Sequence, residues 1–187
     1  MHTDFKIHST NLSLQLPRRD DAAELAQLVC HSPSLYPWFD WANLNFSVSQ
    51  AHDFILANHL QWIKGVSFGF GVYHQCDKKM IGMVALNELS PVYNSASIGY
   101  WIADAFQGQG KGKEAFLALC HFCFNTLKLT RIEVYSDPNN HISRKFILSC
   151  GATHEGLARN RYLYDGIACD GEVFSLLPED MLALSQT

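Results

Sequence analysis

The sequence predicts one α/β domain in which helices flank a mixed sheet. Segments that alternate apolar and polar residues, as half-buried strands do, take turns with amphipathic helical runs. Some strand segments lie in hairpins and others on either side of helices, so the sheet must hold both antiparallel and parallel neighbours. The chain of 187 residues shows no linker, internal repeat or low-complexity tract. That length builds one substantial core, and residues 1–187 are expected to form a single domain.

Each element has its own signal. Asn11 to Leu16 (NLSLQL) alternates strictly and reads as a strand. Asp21 and Glu24 have the spacing of a capping box, followed by Leu25, Leu28 and Val29 on one helical face. From His31 to Phe46 the pattern breaks into a loop rich in Pro, Ser and Asn that carries Tyr36, Trp38, Phe39 and Trp41. Such a loop is either a packing arm or a lid over a cleft. Ser47 and Gln50 form a second capping-box spacing, opening a helix to about Lys64. Ser67–Cys76 and Met80–Asn87 flank the turn Asp77-Lys78-Lys79 as a hairpin, and Ser95–Ile102 (SASIGYWI) is a further strand. A long helix follows the Gln107–Gly112 segment as far as Leu127, then a short strand at Arg131–Tyr135. A helix from His141 to Cys150 is closed by Gly151, and strands at Thr153–Tyr164 and Glu172–Leu177 complete the pattern.

Composition narrows the function classes. Hydrophobic residues at 48% and charged residues at 17% describe a globular chain, not a disordered one. The net charge of −4 offers no basic excess for general nucleic-acid binding, though a few well-placed donors suffice for a phosphate site. Met1 to Leu16 lacks a signal-peptide run, and Ala115–Phe124 is shorter than the roughly 20 residues that cross a bilayer. No membrane association and a cytoplasmic location are the expectations. The CxxC of Cys120 and Cys123 lies deep in an apolar helical run with no second ligand pair, so it reads as packing. His52, His59 and His154 lack metal-ligand spacing, and no metal is expected.

The segment Gln107-Gly108-Gln109-Gly110-Lys111-Gly112 stands between a strand and an apolar helix. Glycines admit positive φ and close backbone approach, so successive N–H groups can converge on one anion at a helix start. A Walker A loop is excluded, because Gly112 follows Gly110-Lys111 where Ser or Thr is required. The dinucleotide fingerprint is excluded too, because Gly108, Gly110 and Gly112 are spaced GxGxG. Gln107, Gly110 and Gly112 do satisfy Q/R-x-x-G-x-G/A, the pyrophosphate loop of the GNAT acyltransferases.

With Ile98-Gly-Tyr-Trp-Ile102 before that loop, Asn140 and Ser143 after it, then Gly151 and Glu155-Gly156, the chain resembles the GNAT family. Within it the likeness is to the ribosomal-protein N-terminal serine/alanine acetyltransferases, from about Asn11 to Leu177. The resemblance implies a mostly antiparallel sheet splayed around a coenzyme A site, and acetyl-CoA as the cosubstrate of N-acetylation. It implies that the backbone of Gln107–Gly112 holds the pyrophosphate and that Asn140 anchors the pantetheine arm. It also implies an N–H of Trp101 or Ile102 polarising the thioester carbonyl, and Ser143 as general acid to the departing thiolate. Judged alone, Ser143 reads equally as a helix-start hydroxyl.

An amine must lose a proton before or as it attacks, and two positions where relatives carry carboxylates hold Ser97 and Tyr162 here. Glu88 and Glu155 remain as candidate bases, Glu155 competing with a purely structural reading. Trp38, Trp41, Asn87 and Tyr162 are expected on the acceptor side. The expected acceptor is the α-amine of a protein, ribosomal by resemblance. A small amine (polyamine, amino acid, antibiotic or peptide toxin) is the alternative within the chemistry, and an inactive CoA-binding module is the alternative outside it. A homodimer is compatible with these expectations.

Overall fold

Strand alternation and helix caps are realised nearly in the order in which they occur along the chain. The computed structural model describes residues 2–184. Met1 and residues 185–187, which the single-domain expectation includes, lie outside the described residues. A short β1 (Lys6–His8), too brief to read from alternation, pairs with β2 (Leu12–Gln15). The helix α1 (Ala22–Cys30) follows, but the expected Asp21–Glu24 capping box is not made. Asp21 instead accepts from the Arg18 N–H at 2.7 Å and the Tyr73 hydroxyl at 2.5 Å, while Glu24 accepts from the Met80 N–H at 3.1 Å. Both carboxylates tie the helix start to a distant hairpin, a use that local spacing does not reveal.

The second capping box does form. At the start of α2 (Val48–Lys64) the Ser47 hydroxyl accepts from the Gln50 N–H at 3.2 Å, and Gln50 reaches back to the Ser47 N–H at 2.8 Å. Beyond it β3 (Phe68–His74) and β4 (Met80–Ser90) form the expected hairpin, and β5 (Ser95–Ile102) lies against β4. Then come α3 (Lys111–Asn125), β6 (Arg131–Ser136) and α4 (His141–Ser149). The last strands, β7 (Thr153–Tyr164) and β8 (Ile167–Leu176), are joined by Asp165-Gly166. Both turn residues have positive φ (48° and 74°), as a two-residue hairpin matched to strand twist requires. Strand β8 therefore begins earlier than the expected Glu172, and a helix α5 (Pro178–Leu184) closes the described chain.

The eight strands form one sheet in the order β1-β2-β3-β4-β5-β6-β8-β7, antiparallel throughout except for β5 with β6. Helices α3 and α4 cover one face, where Phe116, Leu119 and Ile147 meet Ile98 and Ile132. Helices α1 and α2 cover the other, where Leu25, Ala51 and Ile55 meet Met83 and Trp101. This is the mixed, mostly antiparallel sheet flanked by helices that the sequence predicts. What matters for function is where the parallel pair ends. Strand β5 follows β4 as far as Ile102, but pairs with β6 only over Ser95–Ser97 against Arg131–Glu133. Past Ser97 the two strands part, and the sheet opens into a cleft.

Candidate active site

The cleft between β5 and β6 leads into a cavity of about 610 Å³. Strand geometry decides which main-chain groups face it. The Ala103 N–H donates to Ile81 O at 2.9 Å, so with period two the Trp101 N–H also points toward β4. The main-chain groups of Tyr100 and Ile102 then face the gap, where no strand pairs with them. Of the two expected thioester donors, the backbone of Ile102 has the right side of the strand. Trp101 is tied into the sheet and packs its ring 6.2 Å from that of Trp41.

At the end of β5 the chain makes a short turn, Asp104–Phe106, and enters the glycine-rich segment. Gly108 and Gly110 have φ of +70° and +76°, which only glycine adopts without strain. Added Cβ atoms there would meet nothing within 4 Å, because both residues border open space. Gly112 is needed for a different reason: a Cβ would press on Ile102 at 3.3 Å and Phe146 at 3.4 Å. The first main-chain N–H beyond the loop to find a backbone acceptor is that of Glu114, bonding Gly110 O at 3.0 Å. Among the described residues no hydrogen bond occupies the amides from Gly108 to Lys113. Free amides at a helix start, beside a cavity lined by Gly108, Gly110 and Gly112, make a cradle for a diphosphate.

The side chains of the loop divide between anchoring and binding. The Gln107 amide donates to Ile102 O at 2.8 Å and to Ser34 Oγ at 3.0 Å, holding the loop to the strand end. Gln109 turns back to Ala105 O at 3.0 Å, and the Lys111 ammonium lies 5.0 Å from the centroid of the Phe106 ring. Neither of these two side chains lines the cavity. Lys113, which the sequence reading passed over, does line it, and its ammonium reaches Ser149 O at 2.6 Å. The helical spacing from Lys111 placed it on a face that could not be told from sequence alone.

On the opposite wall, Asn140 caps α4 by accepting from the Ser143 N–H at 2.9 Å, which leaves its amide donors uncommitted among the described residues. Ser143 lines the cavity, and its Oγ lies 2.9 Å from the Tyr100 hydroxyl. Burial keeps Tyr100 protonated to high pH, outweighing the opposing effect of that bond. The two hydroxyls thus form a neutral pair that fixes the Ser143 rotamer.

The aromatic loop lies over the far end. Trp38 and Phe39 line the cavity, whereas Trp41 packs among Phe39, Phe46 and Phe54 and belongs to the core. The Tyr164 hydroxyl donates to Tyr36 O at 3.0 Å, pinning the loop to β7. Asn87 accepts from the Ser67 hydroxyl at 2.6 Å and is not part of the cavity lining. Tyr162 is, and its hydroxyl donates to Asp137 Oδ2 at 2.5 Å. Asp137 opposes burial with bonds from Tyr162 and Asn139, and its carboxyl is held below the usual range.

Both carboxylates nominated from sequence are engaged elsewhere. Glu155 is gripped by Arg131 at 2.9 and 2.5 Å and accepts from Ser175 at 2.8 Å. The Arg131 bond, then that of Ser175, hold its pKa down at about 2. It lies outside the cavity, and the structural reading of Glu155 replaces the catalytic one. Glu88 pairs with Arg161 at 2.8 Å, and it too is outside the lining. Cys120 and Cys123 are fully buried, with burial pushing the Cys123 thiol up to about 12, so the CxxC is packing. The one grouping of metal-ligand atoms among the described residues, His74, Cys76 and Asp77 at the β3–β4 turn, is also outside the cavity lining.

A family model for the acetyltransferase (GNAT) domain matches residues 11–153. The ribosomal-protein-serine acetyltransferase of Escherichia coli is 26% identical over 159 residues, 84% of this chain and 88% of that protein. A solved structure described as a "putative ribosomal-protein-serine acetyltransferase" from Vibrio cholerae is 47% identical, with a TM-score of 0.90, covering 95% of this chain and 100% of that one. A ribosomal L7/L12 α-N-protein acetyltransferase solved in complex with coenzyme A superposes with a TM-score of 0.75. It covers 92% of this chain and 98% of its own at 23% identity, and so shows the shared fold.

Proposed function

This chain belongs to the GNAT acetyltransferases, and from that premise we propose that it acetylates the α-amine at the N-terminus of a ribosomal protein. The transfer of acetyl from acetyl-CoA to an amine is the family's chemistry. The observation that carries its placement here is the run of free amides from Gly108 to Lys113 beside the cleft where β5 leaves β6. The reading of the acceptor is supported by the 47% identical Vibrio cholerae chain and by the cavity itself. Trp38, Phe39 and Tyr135 provide apolar walls, and Asp137 is its one carboxylate among the described lining residues. A polyamine site would carry several.

The chemistry follows from position. The loop amides hold the diphosphate, and the exposed main chain of Tyr100 bonds the pantetheine arm as an added strand would. Asn140 offers its free amide donors to the same arm. The Ile102 N–H stabilises negative charge on the thioester oxygen as the amine adds. When the C–S bond breaks, Ser143 gives its proton to the thiolate, with Tyr100 holding the hydroxyl in place. An α-amine suits this site because its pKa near ~8 leaves a reactive neutral fraction at pH 7–8, which a Lys side chain near ~10.4 does not.

The test is thiol release from acetyl-CoA with a panel of acceptors: peptides beginning with Ser or Ala, free lysine and spermidine. Turnover concentrated on the peptides is expected, with acetylation at the first residue by mass spectrometry. Turnover confined to spermidine or lysine would assign a small-amine acceptor instead. Tight CoA binding without turnover on any amine would leave only a binding module.

A further inference from the structure

Resting on the acetyl-transfer reading, we propose that Tyr162 and Asp137 act as one proton-accepting pair for the incoming amine. The role has no occupant among the carboxylates suggested by sequence, since Glu155 is locked to Arg131 and Glu88 to Arg161. Asp137 is the only Asp or Glu among the described residues lining the cavity, and Tyr162 lines it too.

The carboxylate is held in place by its own turn. Its Oδ1 accepts from the Asn139 N–H at 2.8 Å and the Asn139 side chain at 3.0 Å, while the backbone O of Asp137 accepts from the Asn140 N–H at 2.9 Å. One turn therefore carries the proton acceptor, the Asn140 cap and, three residues on, Ser143. Among the described residues its Oδ2 meets only the Tyr162 hydroxyl, at 2.5 Å. Tyr162 reaches this position because β7 is bulged between Ala158 and Tyr162, and a bulge re-aims the side chains that follow it. Asn160, within the bulge, has φ of 52° and is tied to Asp170 by its N–H at 2.9 Å.

The arrangement moves a proton without creating a phenolate. As the amine nitrogen forms the C–N bond, its proton passes to Tyr162 Oη and the Tyr162 proton passes to Asp137 Oδ2. The C–S bond breaks, sulfur keeps the electron pair, and the thiolate takes the Ser143 proton. Asp137 then loses one proton to solvent and Ser143 regains one, so the enzyme is restored. The titratable groups around the pair are Tyr135 on β6 and Cys169 on β8, which is in register with Tyr162. Among the described residues no Lys, Arg or His bonds Asp137, so its negative charge stays available to the amine.

The experiment compares Asp137→Asn, Tyr162→Phe and the double variant with wild type, using the panel acceptor that wild type turns over fastest. Circular dichroism melts and acetyl-CoA titration calorimetry establish that each variant is folded and binds cofactor within about twofold. Each single variant is expected to lose about 100-fold in kcat. The double variant should be no slower than the slower single one, because the two residues act as a unit. A kcat within about threefold of wild type in either single variant would overturn the pair. So would losses confined to KM, or losses that multiply in the double variant. A measurement that needs no acceptor separates this idea from the transferase reading. Burial first, and the Asp137 bond second, raise the ionisation of Tyr162 above the ordinary tyrosine range; read as ultraviolet difference absorbance against Tyr162→Phe, it should fall in Asp137→Asn by the part the carboxylate supplies. If it does not move, the pair is refuted even in an active enzyme. If wild type acetylates nothing, the transferase reading fails on its own.

Discussion

Ser143 holds two hydrogen bonds of different character, and they explain why one residue can both start a helix and serve chemistry. Its N–H is spent on Asn140, while its hydroxyl is held by Tyr100 at the cavity wall. Ser143→Ala keeps the first bond and loses the second. It should lower kcat by about 10- to 100-fold while acetyl-CoA affinity, measured by calorimetry, changes less than twofold. Equal turnover would remove its acid role. Glu155 is the contrasting case, a carboxylate whose pairing serves the fold. Its pKa is depressed in the folded state to about 2, by Arg131 first and Ser175 second. A depressed carboxylate stabilises the fold above its unfolded pKa of 4.5, and that contribution is lost as pH falls toward about 2. Because the side chain is 39% exposed, solvent screening reduces it to about 1 kcal/mol or less. Urea unfolding should therefore show Glu155→Gln slightly less stable than wild type at pH 6 and level with it near pH 2, with turnover unchanged.

Among the elements, the loop between β5 and α3 shows how a short segment is built for one purpose. Positive φ at Gly108 and Gly110 turns consecutive amides outward, and α3 adds the positive end of its dipole behind them. Gly110→Asp would put a carboxylate into that cradle. A Cβ at this residue meets no atom within 4 Å, so the cost to the fold is only the left-handed backbone, about 1 kcal/mol. The variant should stay folded by circular dichroism and lose at least about 100-fold in acetyl-CoA affinity; near-normal binding would place the diphosphate elsewhere. Helix α1 carries the opposite lesson. Its expected capping carboxylates bond the β3–β4 hairpin instead, so a correct helix prediction there came with the wrong reason.

For the whole molecule, the cleft is a consequence of sheet topology. The parallel pair β5–β6 is flanked on both sides by antiparallel partners, and its pairing ends at Ser97 while β4 and β8 carry their own pairings on to Ile102 and Ser136. Beyond that point no strand pairing joins the halves of the sheet among the described residues, and a ligand bonding β5 would tie them further. Acetyl-CoA at about 100 times its Kd should raise the unfolding free energy by about 2.7 kcal/mol. Denaturant titrations with and without acetyl-CoA test this, and the same addition should raise Gly110→Asp by no more than about 0.4 kcal/mol, since a 100-fold weaker site is at most half filled.

Local chemistry made much of this legible in the chain. Alternation located most of the strands, Ser47 and Gln50 located a helix start, and the glycine spacing from Gly108 to Gly112 located the turn whose amides stay free. These are properties of a few consecutive residues, so consecutive residues reveal them. The Asp165-Gly166 turn was equally local and was missed only because its flanking strand is weakly alternating. The proton acceptor was of another kind. Nothing in the neighbourhood of Asp137 marks it, since its meaning comes from Tyr162, twenty-five residues away and aimed by a bulge. Glu155 looked as eligible until Arg131 appeared beside it. The fold class and the glycine-rich turn could be read along the chain, because periodicity and backbone freedom are written locally. Only the tertiary structure decided which charges face the cleft, because pairing and burial depend on residues that folding alone brings together.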